Sequence, residues 1–274
     1  MQVLKGTQGT LFGRNTTGGA ILLVPQRPKD EFEGYVEGSI GNYDMHRLQG
    51  VLNVPLSDTI RVRAGVDHQK RDGFVRNRSG IGPRDFSDMN YVSVRASLLW
   101  DLTPDLENYT VASFTKSDNN GLVPRVIASA TGPNCSPAVA GAGALLGPLV
   151  CSQQLLRAAQ QKYAFFDVEN SVPNPYNKTE QWQVINTTTW KASDAITLKN
   201  VASYGEYTQD YAGNFFGDNI VLPATFGPLA GRPFGYVTNY QNGKSHFISQ
   251  RTFTEELQLQ GRIGERFDFQ AGAY

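Results

Sequence analysis

The sequence predicts an all-β protein: a partial transmembrane antiparallel β-barrel of about nine strands, preceded by a glycine-rich segment. Three observations carry this. Apolar residues recur at alternate positions over several segments, the period-two mark of a strand with one apolar and one polar face. Short turns and long polar loops alternate along the chain, as tight turns on one side of a membrane and long loops on the other would. No apolar run reaches the length of a membrane helix; the best, Ala142 to Val150, is broken by Gly147 and Pro148. That excludes helical spans but not strands, whose average hydropathy stays modest because one face is polar.

Strand-like segments recur from Phe32 onward. Ile60, Val62, Ala64 and Val66 alternate with Arg61, Arg63 and Asp67. Val92, Val94, Ala96, Leu98 and Trp100 alternate with Ser93, Arg95 and Ser97. Leu257 and Leu259 stand against Glu256, Gln258 and Gln260, and Phe267, Phe269, Ala271 and Ala273 against Asp268 and Gln270. The segments near Thr110 and Asn186 alternate less cleanly. Tight turns are expected at Pro55–Thr59, Thr103–Leu106, Ala192–Ala195 and Ile263–Arg266. Long polar loops are expected over roughly Gly73–Asn90, Asn120–Glu180 and Gln209–Arg251, with Gly41–Asp44 as the one short hairpin on that side. Each strand has about ten residues, enough to cross a bilayer when tilted. Trp100, Tyr109, Trp190 and Phe267 fall near the tight turns, where amphipathic rings would sit at headgroup level; core aromatics of a soluble β-protein are the alternative. An odd strand count that ends mid-strand at Tyr274 predicts a barrel continuing beyond it, since bacterial barrels carry even numbers. The opening residues lack a signal peptide, so an upstream part is expected too.

Composition narrows the function. Lys+Arg and Asp+Glu number 25 each, and the mean hydropathy is −0.36. A neutral chain without a basic block has no electrostatic footprint for nucleic acid. His46, His68 and His246 are scattered, no nucleophile-elbow or zincin pattern accompanies them, and the acids are spread evenly, so no catalysis is expected. The only cysteines, Cys135 and Cys151, fit neither a CxxC pattern nor a metal site. In an oxidising compartment they could form a disulfide that closes about fifteen residues and stabilises by roughly 3 kcal/mol; two inert thiols are the alternative.

The most specific stretch runs from Val3 to Ile21, with glycines at Gly6, Gly9, Gly13, Gly18 and Gly19 and Arg14 following Gly13. Such glycines allow positive φ and close backbone approach. A phosphate loop would need Gly-Lys-Ser/Thr opening a helix, or GxGxxG after a strand; instead the stretch ends in the extended run Ala20 to Val24 before Pro25. It resembles the closing motif of the plug domain in TonB-dependent outer-membrane receptors, departing from it at Thr7, where proline is usual, and at Leu22-Leu23. Gly41-Asn42-Tyr43-Asp44, Asn53-Val54-Pro55-Leu56 and Glu256-Leu257-Gln258-Leu259 resemble early barrel strands of the same receptors.

The resemblance implies a plug end over residues 1–29 and the first strands of a barrel of about twenty-two over 30–274. It implies energised uptake of a ferric siderophore, haem, cobalamin or glycan across the cell outer membrane. The TonB–ExbB–ExbD complex would supply the energy, the receptor would be a monomer in outer-membrane lipid, and no cofactor or metal would be resident. Family pattern further suggests an ion pair between Arg14 and Glu256, which alternation turns into the lumen beside Thr254 and Gln258; a solvated glutamate is the alternative. Substrate contacts would come from loop residues Arg125, Phe215, Phe216, Phe226, Tyr236 and Tyr240, although loop aromatics often only pack their own loop. Residues 153–162 could add a short helix. A passive porin would explain the loop asymmetry but leave residues 1–24 unaccounted for. A soluble β-rich adhesin or glycan-binding module is a third reading.

Overall fold

The computed structural model describes residues 2–7, 17–125, 135, 147–152, 164–214, 217, 219–222, 224–232, 236–238, 246–264 and 266–274. Strand β1 (Gln2–Lys5) pairs antiparallel with β2 (Gly19–Leu22), Lys5 opposite Gly19. Gly19 has a φ of 142°, and a Cβ there would collide with the Leu4 carbonyl oxygen, so only glycine lets the two chains meet.

After an extended passage, nine strands among the described residues form one antiparallel meander. They are β3 (Glu33–Gly41), β4 (Met45–Pro55), β5 (Ile60–Arg71), β8 (Met89–Thr103), β9 (Leu106–Asn119), β11 (Tyr176–Ser193), β12 (Ile196–Asn214), β14 (Ile248–Ile263) and β15 (Phe267–Ala273). The register turns the alternation of single strands into two continuous faces. Val62 lies between Val54 and Leu98, and the next row places Arg63 between Asn53 and Ser97. One face is therefore apolar and points outward; the other is polar, and the passage before β3 lies across it. All four tight turns and the hairpin at Gly41–Asp44 fall where expected, the hairpin with positive φ at Tyr43 and Asp44. Ladder irregularities at Asp101/Thr103 and Lys191/Ser193 mark two of the tight-turn ends.

Three expectations are corrected. Several strands far exceed ten residues: β8 has 15, β11 has 18 and β12 has 19. At ~3.3 Å per residue β12 spans about 60 Å, well past a ~25 Å apolar band. The long strands continue beyond the outward aromatics Phe114, Trp182, Tyr204 and Phe253 into a rim of ion pairs, Lys116–Glu180, Lys178–Asp118 and Arg251–Glu206. Strands therefore take over residues assigned to loops, β12 reaching Asn214 and β11 starting at Tyr176. Second, Tyr109 does not flank its turn at headgroup level: it pairs with Leu99 and Thr187 on the inner face. Trp100, Trp190 and Phe267 do point outward.

Third, the loops are not merely polar connections. Within them β6 (Val75–Asn77), β7 (Asp85–Phe86) and β10 (Asp167–Val168) form a three-stranded sheet ordered β10-β6-β7. Val75, Phe86, Val123 and Val168 make its buried core, with Phe74 packed against it. A further short strand, β13 (Tyr236–Thr238), pairs with the upper end of β12. Residues 147–152 form a helical turn, and Cys151 there is disulfide-bonded to Cys135 with Cα atoms 5.4 Å apart.

Candidate functional site

Two constructions stand out: a strap across the inner wall and a cap over the long-loop end. The strap is the passage from Leu23 to Phe32. Pro25 and Pro28 keep it out of helix and sheet, so its backbone groups must be satisfied by the wall beneath. Asn53 does this. The Lys29 amide donates to its Oδ1 at 3.0 Å, and its Nδ2 donates to the Lys29 and Glu31 carbonyls at 2.9 and 2.6 Å. The side chain is fully buried as a result.

Charges complete the strap. Arg63 donates to Glu33 at 2.9 Å and to Gln26 at 3.1 Å. Arg61 pairs with Asp30 at 3.0 Å and with Asp101. Arg27 pairs with Glu107, and its guanidinium lies 4.9 Å from the Tyr109 ring centre. The strap thus ties residues 26–31 to strands β4, β5 and β9.

Farther up the wall, Arg47 forks onto Asp67 at 2.9 and 2.7 Å, and the Tyr91 hydroxyl donates to Asp67 at 3.2 Å. A hollow of about 260 Å³ opens between Gln26, Tyr35, Arg63, Asp67 and Arg95. Its lining is polar, with hydrogen-bonding groups of both kinds.

The cap is held by buried amides. Asn170 donates to the carbonyls of Ile81 at 2.8 Å and Val172 at 2.6 Å and accepts from the Val172 amide at 3.1 Å. Asn214 donates to Ser171 at 2.7 Å and accepts from the Gly217 amide at 2.9 Å. Arg78 pairs with the buried Asp167 at 2.9 Å. Three loops are therefore joined in one unit. Burial opposes the Asp167 charge, but the Arg78 guanidinium and the Ala164 amide outweigh it and hold the carboxyl below its usual range. Asp88 runs the other way: burial raises its carboxyl, against the Asn120 amide.

The sign of the Asp167 effect follows from linkage. A lowered carboxyl contributes stability that is full above the unfolded value near ~4 and is lost as pH falls through the folded value. Protonating Asp88 works in the opposite sense and offsets part of the loss. Limited proteolysis of the loops between about pH 6 and 3 should show protection declining in the native protein. In Asp167→Asn protection should already be weaker at the upper end and change less on acidification. Identical profiles would remove Asp167 from the account.

The residues singled out from sequence are distributed as follows. Gly6 has a φ of 84° beside the β1–β2 pair, and Gly18 lies just before β2. Gly9, Gly13, Arg14, Phe215, Phe216, Tyr240 and the possible helix over 153–162 lie outside the described residues. Glu256 faces the inner wall, opposite Val201, and accepts from Gln258 at 2.7 Å. Arg125 donates to the Ala164 and Phe165 carbonyls at 2.8 and 2.6 Å and lies over the Phe165 ring. It braces its own loop. Phe226 is half-buried in a 3-10 turn, and Tyr236 opens β13 opposite Asn214. Sequence reasoning missed Asn53, Arg61, Arg63, Glu107, Asn170 and Asn214. The basic positions Arg61 and Arg63 on the polar face of β5 were the one available hint.

No family model matches the chain. The metal-pseudopaline receptor CntO of Pseudomonas aeruginosa is 30% identical over 109 residues, which are 38% of this chain and 14% of that protein. The pesticin receptor of Yersinia pestis is 38% identical over 58 residues, 21% of this chain and 9% of its own length. In fold, 98% of the chain superposes on 33% of the siderophore receptor PiuA from Acinetobacter baumannii, with a TM-score of 0.63 and 15% identity. The chain thus spans about a third of that receptor, and its matched stretch about a seventh of the curated relative CntO.

Proposed function

We propose that this chain, a stretch of a TonB-dependent outer-membrane receptor, belongs to a whole protein that imports a ferric siderophore or similar metal chelate across the outer membrane. The observation that carries the reading is the superposition of nearly the whole chain on a siderophore receptor, matched by sequence likeness to metal-chelate receptors. Residues 1–29 are the end of the plug and 30–274 the first barrel strands, with the strap as their joint. Energy comes from the TonB–ExbB–ExbD system, which acts through the plug. The resemblance pairs Arg14 with Glu256 as a second tie between plug and wall. The role is transport, not catalysis. Substrate meets the cap and its neighbouring loops first, where Phe74, Phe165 and Phe166 stack edge to face beside Arg125.

Deletion of the full-length gene should abolish growth on one ferric siderophore under iron limitation. Dissipating the proton-motive force should stop uptake in the intact strain. Uptake that persists without that force would favour the passive porin.

A further inference from the structure

The inner wall divides into two sectors of different character. On β3, β4, β5 and β8 the inward residues carry charge of both signs, among them Glu37, Arg47, Asp67 and Arg95. The Arg47–Asp67 fork and most ties of the strap lie here. On the upper halves of β9, β11, β12 and β14 the inward side changes. Ser113 stands opposite Arg95 across the β8–β9 ladder, and register carries the same side on to Gln183, Gly205 and Thr252. Thr115, Gln181, Tyr207 and Gln250 follow one row up. Among the described residues, no Asp, Glu, Lys or Arg faces inward on this field. It ends below at the row of Thr254, beneath which Glu256 and Lys199 bring inward charge back.

Composition does not explain the field, because the same stretches are rich in charge. Lys116, Glu180, Glu206 and Arg251 alternate with the neutral residues and all face outward. The charges are sorted to one side, and hydroxyls and amides are left on the other. Several of these are idle. Gln183 donates to Ser203 at 2.9 Å, but the side chains of Thr179, Gln181, Gln250 and Thr252 have no partner among the described residues. Such groups exchange one hydrogen bond with water for one with a solute, so each holds weakly. Passage needs binding of that kind, favourable enough to enter and weak enough to leave. An ion pair on the wall would detain a charged solute instead.

We propose that the cargo descends along this neutral field, between β9–β14 and the plug, while the charged sector holds the plug's end. The partner it fits is a polar solute dense in oxygen acceptors and hydroxyl donors, a metal chelate among them. The inference rests on the import reading and adds to it the wall along which the solute moves. The strap selects this occupant over the resident plug. Its ties reach β4, β5 and the lower end of β9 at Glu107, and among the described residues none reaches β11, β12 or β14. Glu256, the partner the resemblance gives Arg14, lies one row below the field and leaves it free. A plug anchored at the charged sector and below the field parts from the wall across the field.

The test uses the full-length receptor in energised cells, with radioiron uptake from the chelate that the growth experiment selects. Gln181→Cys and Thr252→Cys place a thiol in the field. Gln49→Cys places one in the charged sector on the same register row as Gln181. Cys135 and Cys151 are disulfide-bonded and do not compete. A bulky maleimide is added during uptake. With either field variant it should lower the maximal uptake rate about tenfold and leave surface affinity for the chelate unchanged, the split expected of a group met only in transit. With Gln49→Cys the rate should stay within about twofold. A labelled field variant that still transports at the native rate overturns the proposal. So does a field thiol that stays unlabelled throughout uptake, or an equal block in Gln49→Cys. Where a cysteine variant fails to reach the outer membrane, hydroxyl-radical footprinting of the unmodified receptor decides. Uptake should change the labelling of Tyr207 and not of Tyr35; no change at Tyr207, or an equal one at Tyr35, overturns the proposal. An unmodified receptor that takes up no chelate refutes the import reading itself, an outcome distinct from transport that the reagent fails to block.

Discussion

Phe86→Ala is expected to unfold the outer cap while leaving the nine-stranded sheet assembled. Phe86 is fully buried and is the largest side chain in a core otherwise made of Val75, Val123 and Val168, with Phe74 against it. Truncating a buried phenylalanine costs about 3–5 kcal/mol. A three-stranded sheet with so small a core has no reserve to absorb that loss. The meander shares none of these contacts, being stabilised by its own ladders and by lipid. Trypsin should therefore cut the variant at Arg76, Arg78 and Arg84 much faster than the native protein, while the barrel of the full-length receptor still resists unfolding by SDS without heating. If substrate binding needs the ordered cap, a penalty of ~3 kcal/mol lowers affinity by roughly a hundredfold. Native-like protection of the loops would show that the cap is held elsewhere.

Asn53→Leu should release the strap. Leucine has similar bulk, so the cavity cost is small, but three hydrogen bonds vanish at once. The Lys29 amide and the Lys29 and Glu31 carbonyls are then left facing a leucine, at about 1–3 kcal/mol for each group that stays buried and unpaired. The total, on the order of 3 kcal/mol or more, exceeds what the surface ion pairs of the strap can restore at ~0–1 kcal/mol apiece. The expected readout is cleavage after Lys29 in the variant; Arg27 precedes Pro28, which protects that bond. Asn53→Asp, which keeps the acceptor for the Lys29 amide and loses the donors, should fall between. Equal resistance in all three proteins would mean that the charges alone hold the strap.

How much of this could be read from the chain depends on what enforces each pattern. In β5 and β8 the outer face must be apolar and the inner face must be polar, so Ile60 to Val66 and Val92 to Trp100 alternate and the strands were legible. The upper parts of β11 and β12 rise beyond the apolar band, where Lys178, Glu180 and Glu206 can face outward and both faces turn polar. Period two vanishes there although the ladder continues. Strands β9 and β11 carry an outward hydrogen-bonded ring of Asn108, Thr110, Asn186 and Thr188, which blurred the pattern near Thr110 and Asn186.

Glycine chemistry was legible because it shows in the residue type itself: Gly19 must be glycine where β2 passes the Leu4 carbonyl. The strap was not. Asn53 occupies an ordinary inward position of β4, and its burial comes from residues 29–31 crossing over it, a long-range event that leaves no periodic trace. The cap core was hidden for a similar reason. Val75, Phe86, Val123 and Val168 come from three separate stretches of apparent loop, so no window of sequence contains more than two of them.

The strap also fixes how the joint responds to force. Its ties are arranged in series, from Gln26 and Arg27 through Lys29 to Asp30 and Glu33. A tug applied upstream of Pro25 loads the first tie alone, and each later one bears tension only when its predecessor has parted. The first barrel strand is thereby shielded from the pull. The joint behaves like the strain relief on a cable, yielding stepwise so that what it enters does not tear.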